Sequence, residues 1–536
     1  MPAMVVRDAD VYAHLGELQA QALAAEAAMI GGNPFAPIGK AYQGASLSKQ
    51  MKNWLPGNRS GDSMLTADWN LLTARVGDLI RNEPSLGAGK TALVKHIIGP
   101  GIHTFADVID GEGEYIDDFN DESDEWFERW SDEECDIEDR HAWPEMEWQV
   151  MDQTIEQGEA ILLECIDTRP GRSVPYALQL LEAHQLDEQK NELPRDGSNR
   201  ISRGVELDKF NRAVAYWIYD AHPYDQAAGW STMSTRIPAE RVHHFYLPMP
   251  QSATRGISWF HALIRATRDV DWYLGSELTS AALGALLTAI HYTDLRPGLA
   301  GGIGLADGQE DSDDFGNPFT KLSAGTIAKV QKGDEVKLLE SARPGRQVGP
   351  FMQLMRQEQA MGMKLSYITH TGDFSKTSFT SAHGAANEEN AYFRPLQGRV
   401  ARRVVRPIRR QHTRFAVAYG RYRTLSATQY RDQPFRWNRL LSQGPGRDQL
   451  NPLDQSGASI DKMRSGLSTL ADECAALGKN WRKELRMKAR VEREAARLGT
   501  TLDWSRGGGP QASQFAAAEA ANPSDEPPGP FTVEGD

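Results

Sequence analysis

ISRGVELDKFNRAVAYWIYDAHPYD (residues 201–225) and RIPAERVHHFYLP (236–248) are two β-rich runs that stand shortly before a long stretch without proline. Val214, Tyr216 and Ile218 occupy alternate positions in the first run, and turn-forming residues follow them. Such alternation places apolar side chains on one face of an extended chain. The sequence therefore predicts a β-strand at these positions.

The proline-free stretch extends from Ser258 to Thr293 and contains only two glycines, Gly275 and Gly284. It is able to form one helix of about 35 residues, roughly 50 Å long at 1.5 Å per residue. A helix of that length rarely fits within one compact core and usually spans a larger structure or packs beside copies of itself. We therefore predict an α+β protein with a rod-like helix after its β-rich module.

Short motifs follow one another in order along the chain: QGEAIL (157–162), GVELD (204–208), AVAYWI (213–218), HPYD (222–225), IPAERVHHFY (237–246) and RGISWFHALI (255–264). Further strings lie at 322–344, at 372–390 (GDFSKTSFTSAHGAANEEN) and at 487–499. This ordered series, which covers residues 60 to 500, resembles the portal proteins of tailed bacteriophages of the lambda type. The resemblance implies an α+β, multidomain portal fold with a wing, a long-helix stem, a clip and a helical crown, assembling as a ring.

The resemblance also implies where these parts lie. By its position, the tunnel loop would approach DNA, and Lys364, Lys376, Thr377 and Ser378 are the DNA-channel candidates. An ordinary surface loop is an equal alternative for this segment. The expected parts are an N-terminal arm (1–60), an α+β wing (61–255) with an acidic segment (107–140), a first stem helix (256–295), a clip (296–349), a second stem helix (350–364), the tunnel loop (365–380), a wing helix with an arginine-rich segment (381–458), C-terminal crown helices (459–504) and a disordered tail (505–536).

Charge is segregated along the 536 residues, whose formal net charge is −14. Residues 107–140 hold seventeen Asp and Glu against two arginines, whereas residues 390–431 hold eleven arginines and no Asp, Glu or Lys. The acidic segment is either a solvated insertion or a helix that packs on the body, as the near-helical spacing of Trp126, Phe127 and Trp130 indicates. The arginines predict a salt-bridge face between subunits or within the chain, or a basic groove for nucleic acid. The subunit-interface candidates are Arg399, Arg402, Arg403, Arg406, Arg409 and Arg410.

No pattern in the sequence predicts catalysis, a cofactor or a metal site. LGAGKTALVK (86–95) resembles a phosphate-binding loop, but Pro84 stands where that motif needs glycine, and no apolar strand precedes it. The adjacent His243 and His244 would point to opposite faces of a strand. The three cysteines have unrelated spacings, which favours free thiols. No apolar stretch approaches the roughly 20 residues that span a bilayer, so we expect no membrane contact.

The function that the resemblance implies is structural and mechanical. Copies of the chain, twelve in the family, would form the DNA channel at one capsid vertex, through which double-stranded DNA is packaged and ejected. The expected partners are the terminase, the major capsid or scaffold protein and the head-tail connector, with assembly in the host cytoplasm and a final location in the virion. The alternatives are a DNA-binding or scaffold protein that uses the arginine-rich helix, and a packaging enzyme.

Overall fold

The computed structural model describes residues 53, 57–195, 198–225, 233–286, 290–292, 310–312, 318–320, 335–337, 348–375, 377–446, 452–500 and 502. Contacts divide the chain into two units, residues 1–60 and 61–536. Almost all of the first unit lies outside the described residues, as do most of the predicted clip and all of the predicted tail. The account below therefore concerns the second unit.

Helices open this unit and pack against a three-stranded sheet. The helices are α1 (Gly61–Leu65), α2 (Trp69–Asn82), α3 (Pro84–Ile97), α4 (Asp117–Glu133) and α5 (Trp143–Gln157). Pro84 begins α3, where its missing N–H costs no helical hydrogen bond. The sheet has the antiparallel order β3-β2-β8, with β2 at Glu159–Cys165, β3 at Ala177–Leu181 and β8 at Val242–Tyr246. Strand β2 is buried along most of its length because helices cover the sheet.

A second sheet carries the run with which the sequence analysis began. Its order is β4-β5-β6-β7, with β4 at Arg200–Ser202, β5 at Val205–Leu207, β6 at Ala213–Tyr219 and β7 at Ser234–Pro238. The strand predicted around Tyr216 is therefore confirmed. A small apolar core joins this sheet to the first one, and a much larger core joins the helices to the first sheet. A short strand β1 (His103–Ala106) pairs with β13 (Leu440–Gln443) at another edge of the unit.

The predicted helix over 258–293 is wrong in its length. Helix α6 covers Ile264–Leu286, which is 23 residues, and a strand, β9 (Ile290–Tyr292), follows it. Ser258 explains the late start, since its hydroxyl donates to the Ile155 carbonyl at 3.0 Å and accepts from the Phe260 N–H at 3.2 Å. A serine side chain that bonds nearby backbone groups favours a turn over helix. The helix is therefore about 35 Å long rather than about 50 Å.

The helix predicted at 350–364 is found as α7, at Val348–Met363, and it packs against α6. Tyr273 and Phe351 bring their ring centroids to 4.7 Å across this contact. Nearby, the Gln359 side-chain amide donates to the Thr267 hydroxyl at 3.3 Å. Within the predicted clip, only three strands are described: β10 (Glu310–Ser312), β11 (Pro318–Thr320) and β12 (Glu335–Lys337).

The longest helical run among the described residues lies elsewhere, at 379–418. It comprises α9 (Phe379–Val400), a π-helical segment (Ala401–Val405) and α10 (Arg406–Ala418). Pro407 lies directly after this π segment, in the first turn of α10, where its missing N–H costs no helical hydrogen bond. A short helix, α8 (Tyr367–Thr371), precedes the run. After it come α11 (Ala427–Asp432), α12 (Pro434–Trp437), α13 (Pro452–Arg464), α14 (Leu470–Ala476) and α15 (Trp481–Arg497).

The acidic segment is folded, which decides between its two interpretations. Helix α4 buries Phe119, Phe127 and Trp130 in the large core. The Trp130 indole N–H donates to the Tyr176 carbonyl at 2.6 Å. The prediction that a helix in this segment packs on the body is therefore confirmed. No helix in the part of the chain that the structure describes is both long and apolar enough to cross a membrane.

Candidate functional site

Two of the sequence motifs meet in a fully buried ion pair. Arg255 of RGISWF lies against Glu159 of QGEAIL, and neither side chain is exposed. The Arg255 Nε donates to Glu159 Oε1 at 2.7 Å. The other carboxylate oxygen, Oε2, accepts from the Gly256 N–H at 3.0 Å and contacts His244 Nε2 at 2.9 Å. The carboxylate thus joins strand β2, strand β8 and the chain that leads into α6.

The electrostatics of Glu159 follow from these contacts. Burial raises the pKa of the carboxyl, but Arg255 and the hydrogen bond from His244 outweigh burial and hold the pKa well below its usual range. On its other side Arg255 lies over the Trp69 ring, 4.3 Å from the centroid. Because the folded pKa lies below the unfolded value of about 4.3, Glu159 contributes its full stabilisation above that pH and loses it as pH falls toward the folded pKa.

Gly158 and Gly256 allow the backbones of the two motifs, QGEAIL and RGISWF, to lie close together. A Cβ on Gly256 would lie 2.0 Å from the Gly158 carbonyl oxygen, and Gly158 has a φ of +97°. No rotation of a side chain relieves a clash with backbone. Both glycines are therefore required by the contact between the two motifs.

We expect Gly256→Ala to destabilise the chain by more than about 1 kcal/mol, because a backbone shift is needed to admit the methyl group. Gly275→Ala, in the exposed part of α6, is the matched control, since a Cβ there meets nothing within 4 Å. That change should be neutral or stabilise the helix by about 0.5 kcal/mol. Thermal unfolding of both variants checks the prediction, and equal midpoints would contradict it.

The acidic segment finds basic partners within its own chain. Arg409 is completely buried and donates from Nη2 to Asp124 Oδ1 at 2.9 Å and to the Ser123 hydroxyl at 3.0 Å. Its guanidinium also lies 4.2 Å from the Phe127 ring centroid. Burial raises the pKa of Asp124 more than Arg409 lowers it. The intrachain alternative is thus realised at Arg409, and we leave this residue out of any contact between subunits.

Helix α15 supplies a second set of partners at the surface. Arg482 Nη1 lies 3.0 Å from Asp117 Oδ1, and Lys483 Nζ lies 3.9 Å from Glu128 Oε2. Arg486 pairs with both Asp117 and Asp121. These pairs are partly exposed, so each contributes little alone. Together they place the C-terminal helix along the acidic helix.

Exposed arginines on the π segment and α10 have no such partners. This arginine patch comprises Arg402, Arg403, Arg406, Arg410 and Arg414; all are exposed except Arg406, which is half-buried. Burial lowers the pKa of Arg406, and the neighbouring Arg410 and Arg402 lower it further. Among the residues that the structure describes, no carboxylate lies within ion-pair distance of the patch. Of the remaining candidates, Arg399 donates to the Tyr246 carbonyl at 3.0 Å.

Helix α4 exposes unpaired carboxylates as well. Asp118, Glu125 and Asp132 are all exposed, and within the described ranges none has a basic partner. Their spacing of seven residues is two helical turns, so they share one face of α4. We call them the acidic stripe. One chain therefore presents two surfaces of opposite charge that its described residues do not neutralise.

The predicted tunnel loop is ordered at its beginning. Glu389 of α9 accepts from the Ser366 N–H at 2.6 Å and from the Thr369 hydroxyl at 3.0 Å, which holds α8 in place. Lys364 is exposed and has a φ of +62°. Thr377 is half-buried, Ser378 caps α9 by accepting from the Ser381 N–H, and Lys376 lies outside the described residues. The role of the four candidates in a DNA channel stays a prediction.

Two further sequence predictions are resolved. LGAGKTALVK lies inside α3, where its backbone N–H groups serve the helix, and Lys90 pairs with Asp152 at 2.7 Å. It is not a phosphate-binding loop. His243 and His244 contact different carboxylates, Glu164 and Glu159, so the two imidazoles do not face one common metal position. Sequence reasoning missed the role of Glu159 and Glu389, although both lie in the quoted motifs.

The described residues form a multidomain α+β protein with segregated charged surfaces. The sequence model of the family described as phage portal protein, lambda family, matches residues 47–397. The chain therefore belongs to the lambda family of phage portal proteins.

Individual relatives agree with this family. The probable portal protein of Halomonas phage phiHAP-1 is 26% identical over 367 residues, which cover 67% of this chain and 69% of that protein. Portal protein B of Escherichia phage lambda is 22% identical over 488 residues, covering 85% and 90%. Among solved structures, a chain in the neck of an empty gene transfer agent particle aligns with a TM-score of 0.38 at 12% identity, covering 84% of this chain and 98% of that chain.

Proposed function

We propose that copies of this chain close into a ring, of twelve subunits as in the resemblance, that forms the DNA channel at one capsid vertex. The observation that carries the proposal is the pair of unneutralised surfaces, the arginine patch and the acidic stripe. A closed ring requires one surface of each subunit to meet a different surface of its neighbour. Opposite charges on those two surfaces favour the correct neighbour and disfavour like-to-like contact.

The net charge of −14 supports a channel rather than a tight DNA-binding surface. Each phosphate that a protein neutralises adds salt-dependent affinity, and tight contacts would hold a duplex that has to move. Lys364, which is exposed beside α8, is proposed to contact DNA, together with Lys376, Thr377 and Ser378 further along the loop. The terminase, the capsid or scaffold protein and the head-tail connector are the proposed partners of the ring, which assembles in the host cytoplasm and stays in the virion.

Negative-stain microscopy of the purified full-length chain tests the proposal. We expect rings with a central opening wide enough for a duplex, together with weak binding of free DNA at physiological salt. Mass photometry of the same sample gives the number of subunits. Compact single particles without an opening at every concentration tested would contradict the proposal.

A second function is favoured by one observation: no carboxylate among the described residues pairs with the arginine patch. A DNA-binding or scaffold protein would use these arginines on phosphates. It would bind a duplex tightly as a monomer, and its affinity would fall steeply with salt, with a slope close to the number of phosphates contacted. Fluorescence anisotropy with a labelled duplex at three salt concentrations distinguishes this function from the ring.

A further inference from the structure

Two histidines and a glutamate, from the turns that follow two different strands, lie close together at one corner of the unit. His184 lies in the 3₁₀ turn Ala183–Gln185, directly after β3, and Glu182 is the residue just before that turn. His222 lies in the turn after β6. The sheet topology brings these turns together, and the imidazole centroids of His184 and His222 are 5.8 Å apart.

Their geometry is that of ligands around a small cation. One ligand atom from each of the three residues lies within 4.8 Å of the other two. His222 Nε2 and Glu182 Oε2 are 3.4 Å apart. Tetrahedral ligands at zinc bond lengths of about 2.0–2.2 Å are separated by about 3.4 Å, so this edge already has the required length.

Each of the two histidines has a ring nitrogen that is available to bind a metal ion. Burial lowers the pKa of His184, with further lowering by Arg255 and His222. Neither ring nitrogen of His184 has a hydrogen-bond partner among the described residues. His222 Nδ1 accepts from the Tyr224 N–H at 3.3 Å. Metal binding at Nε2 moves the ring proton to Nδ1 and breaks this long contact, which is a small cost.

We propose that Glu182, His184 and His222 form a Zn²⁺ site with an open fourth position. Two imidazoles and one carboxylate suit Zn²⁺, whereas Ca²⁺ and Mg²⁺ prefer oxygen ligands. A cleft of about 460 Å³ adjoins His184, between Trp69 and Tyr224, and leaves room for a water as fourth ligand. The positive charge of Arg255 behind His184 is offset by its ion pair with Glu159. The site would fasten the turn after β6 to the turn after β3.

Titration of the untagged full-length chain with ZnCl₂ in a calorimeter tests the proposal. We expect one Zn²⁺ per chain and a rise in the unfolding temperature when Zn²⁺ is present. Co²⁺ in place of Zn²⁺ should give the visible absorption of a tetrahedral N/O site. His184→Ala and His222→Ala should each weaken binding at least about tenfold, as should Glu182→Gln, which changes an exposed side chain and keeps its size.

His141→Ala is the matched control, because His141 lies 3.9 Å from Glu145 without a third ligand. It should bind Zn²⁺ as the parent chain does. Circular dichroism without metal shows that each variant is folded before its affinity is compared. No saturable binding by the parent chain, or equal binding by the Glu182→Gln and parent chains, would overturn the proposal. These outcomes do not depend on ring formation, since the site lies within one subunit.

Discussion

Reversing three charges at once, with Arg402→Glu, Arg403→Glu and Arg406→Glu, is expected to prevent ring assembly while the chain stays folded. None of these side chains has a carboxylate partner within the described part of its own chain, although Arg406 Nε donates to the Ser442 hydroxyl at 2.8 Å, so folding loses about one hydrogen bond. In a ring, by contrast, each reversed patch would face the acidic stripe of a neighbour. Attraction becomes repulsion at every interface, and we expect the concentration needed for assembly to rise at least about tenfold. Mass photometry and light scattering measure this shift.

The control carries the same change in net charge away from the patch, with Arg195→Glu and Lys209→Glu at exposed positions and Arg200→Glu at a half-buried one. It should assemble as the parent chain does. A rescue variant adds Asp118→Lys, Glu125→Lys and Asp132→Lys to the triple reversal, which restores opposite charges with the two surfaces exchanged. Rings formed by the triple variant at the parent concentration would remove these arginines from the interface. Failure of the folded rescue variant to assemble would remove the acidic stripe as their partner.

Glu159→Gln is expected to have the largest effect of any single substitution on stability. The change leaves the buried guanidinium of Arg255 without its counter-charge, and breaking a buried pair in this way costs about 3–5 kcal/mol. It also weakens the contacts that Glu159 makes with Gly256 and His244. Because the chain is large, hydrogen exchange is a better measure than one unfolding midpoint. Amides in β2, β8 and residues 255–260 should exchange much faster.

Glu494→Gln is the control, since Glu494 pairs with Arg497 on the exposed surface of α15. It should leave exchange in β2 and β8 unchanged. The double variant Glu159→Gln with Arg255→Met should lose less stability than the sum of the single variants, because no unpaired charge remains buried. Unchanged exchange around Gly256 in Glu159→Gln would show that the ion pair does not hold the two motifs together.

Patterns over a few neighbouring residues were enough to predict one strand and one packed helix. Alternation around Tyr216 gave a strand, and the spacing of Trp126, Phe127 and Trp130 indicated the packed acidic helix. The length of α6 was overestimated, because the absence of proline does not reveal that Ser258 bonds the distant Ile155 carbonyl. Arg409 has the same sequence context as Arg410, yet one side chain is buried and the other is exposed. Only the packing of α10 against α4 separates them.

Contacts between distant segments were beyond any pattern in the sequence. Glu159 and Arg255 are far apart along the chain, and no charge pattern pairs them. His184 and His222 come together only because β3 and β6 end near the same corner. The family resemblance predicted the overall architecture, but the contacts of each candidate residue required coordinates.

Glu389 has a mechanical consequence for the proposed channel. By fixing α8, it leaves only residues 372–377 to span the gap to Ser378. A segment of about six residues extends to about 20 Å at most, so a loop that leaves and returns projects about half that distance. The loop is therefore a short projection on a helix that Glu389 holds in place. If the ring forms as proposed and this loop lines its channel, any widening of the aperture would require whole helices to tilt, as the blades of a camera iris do.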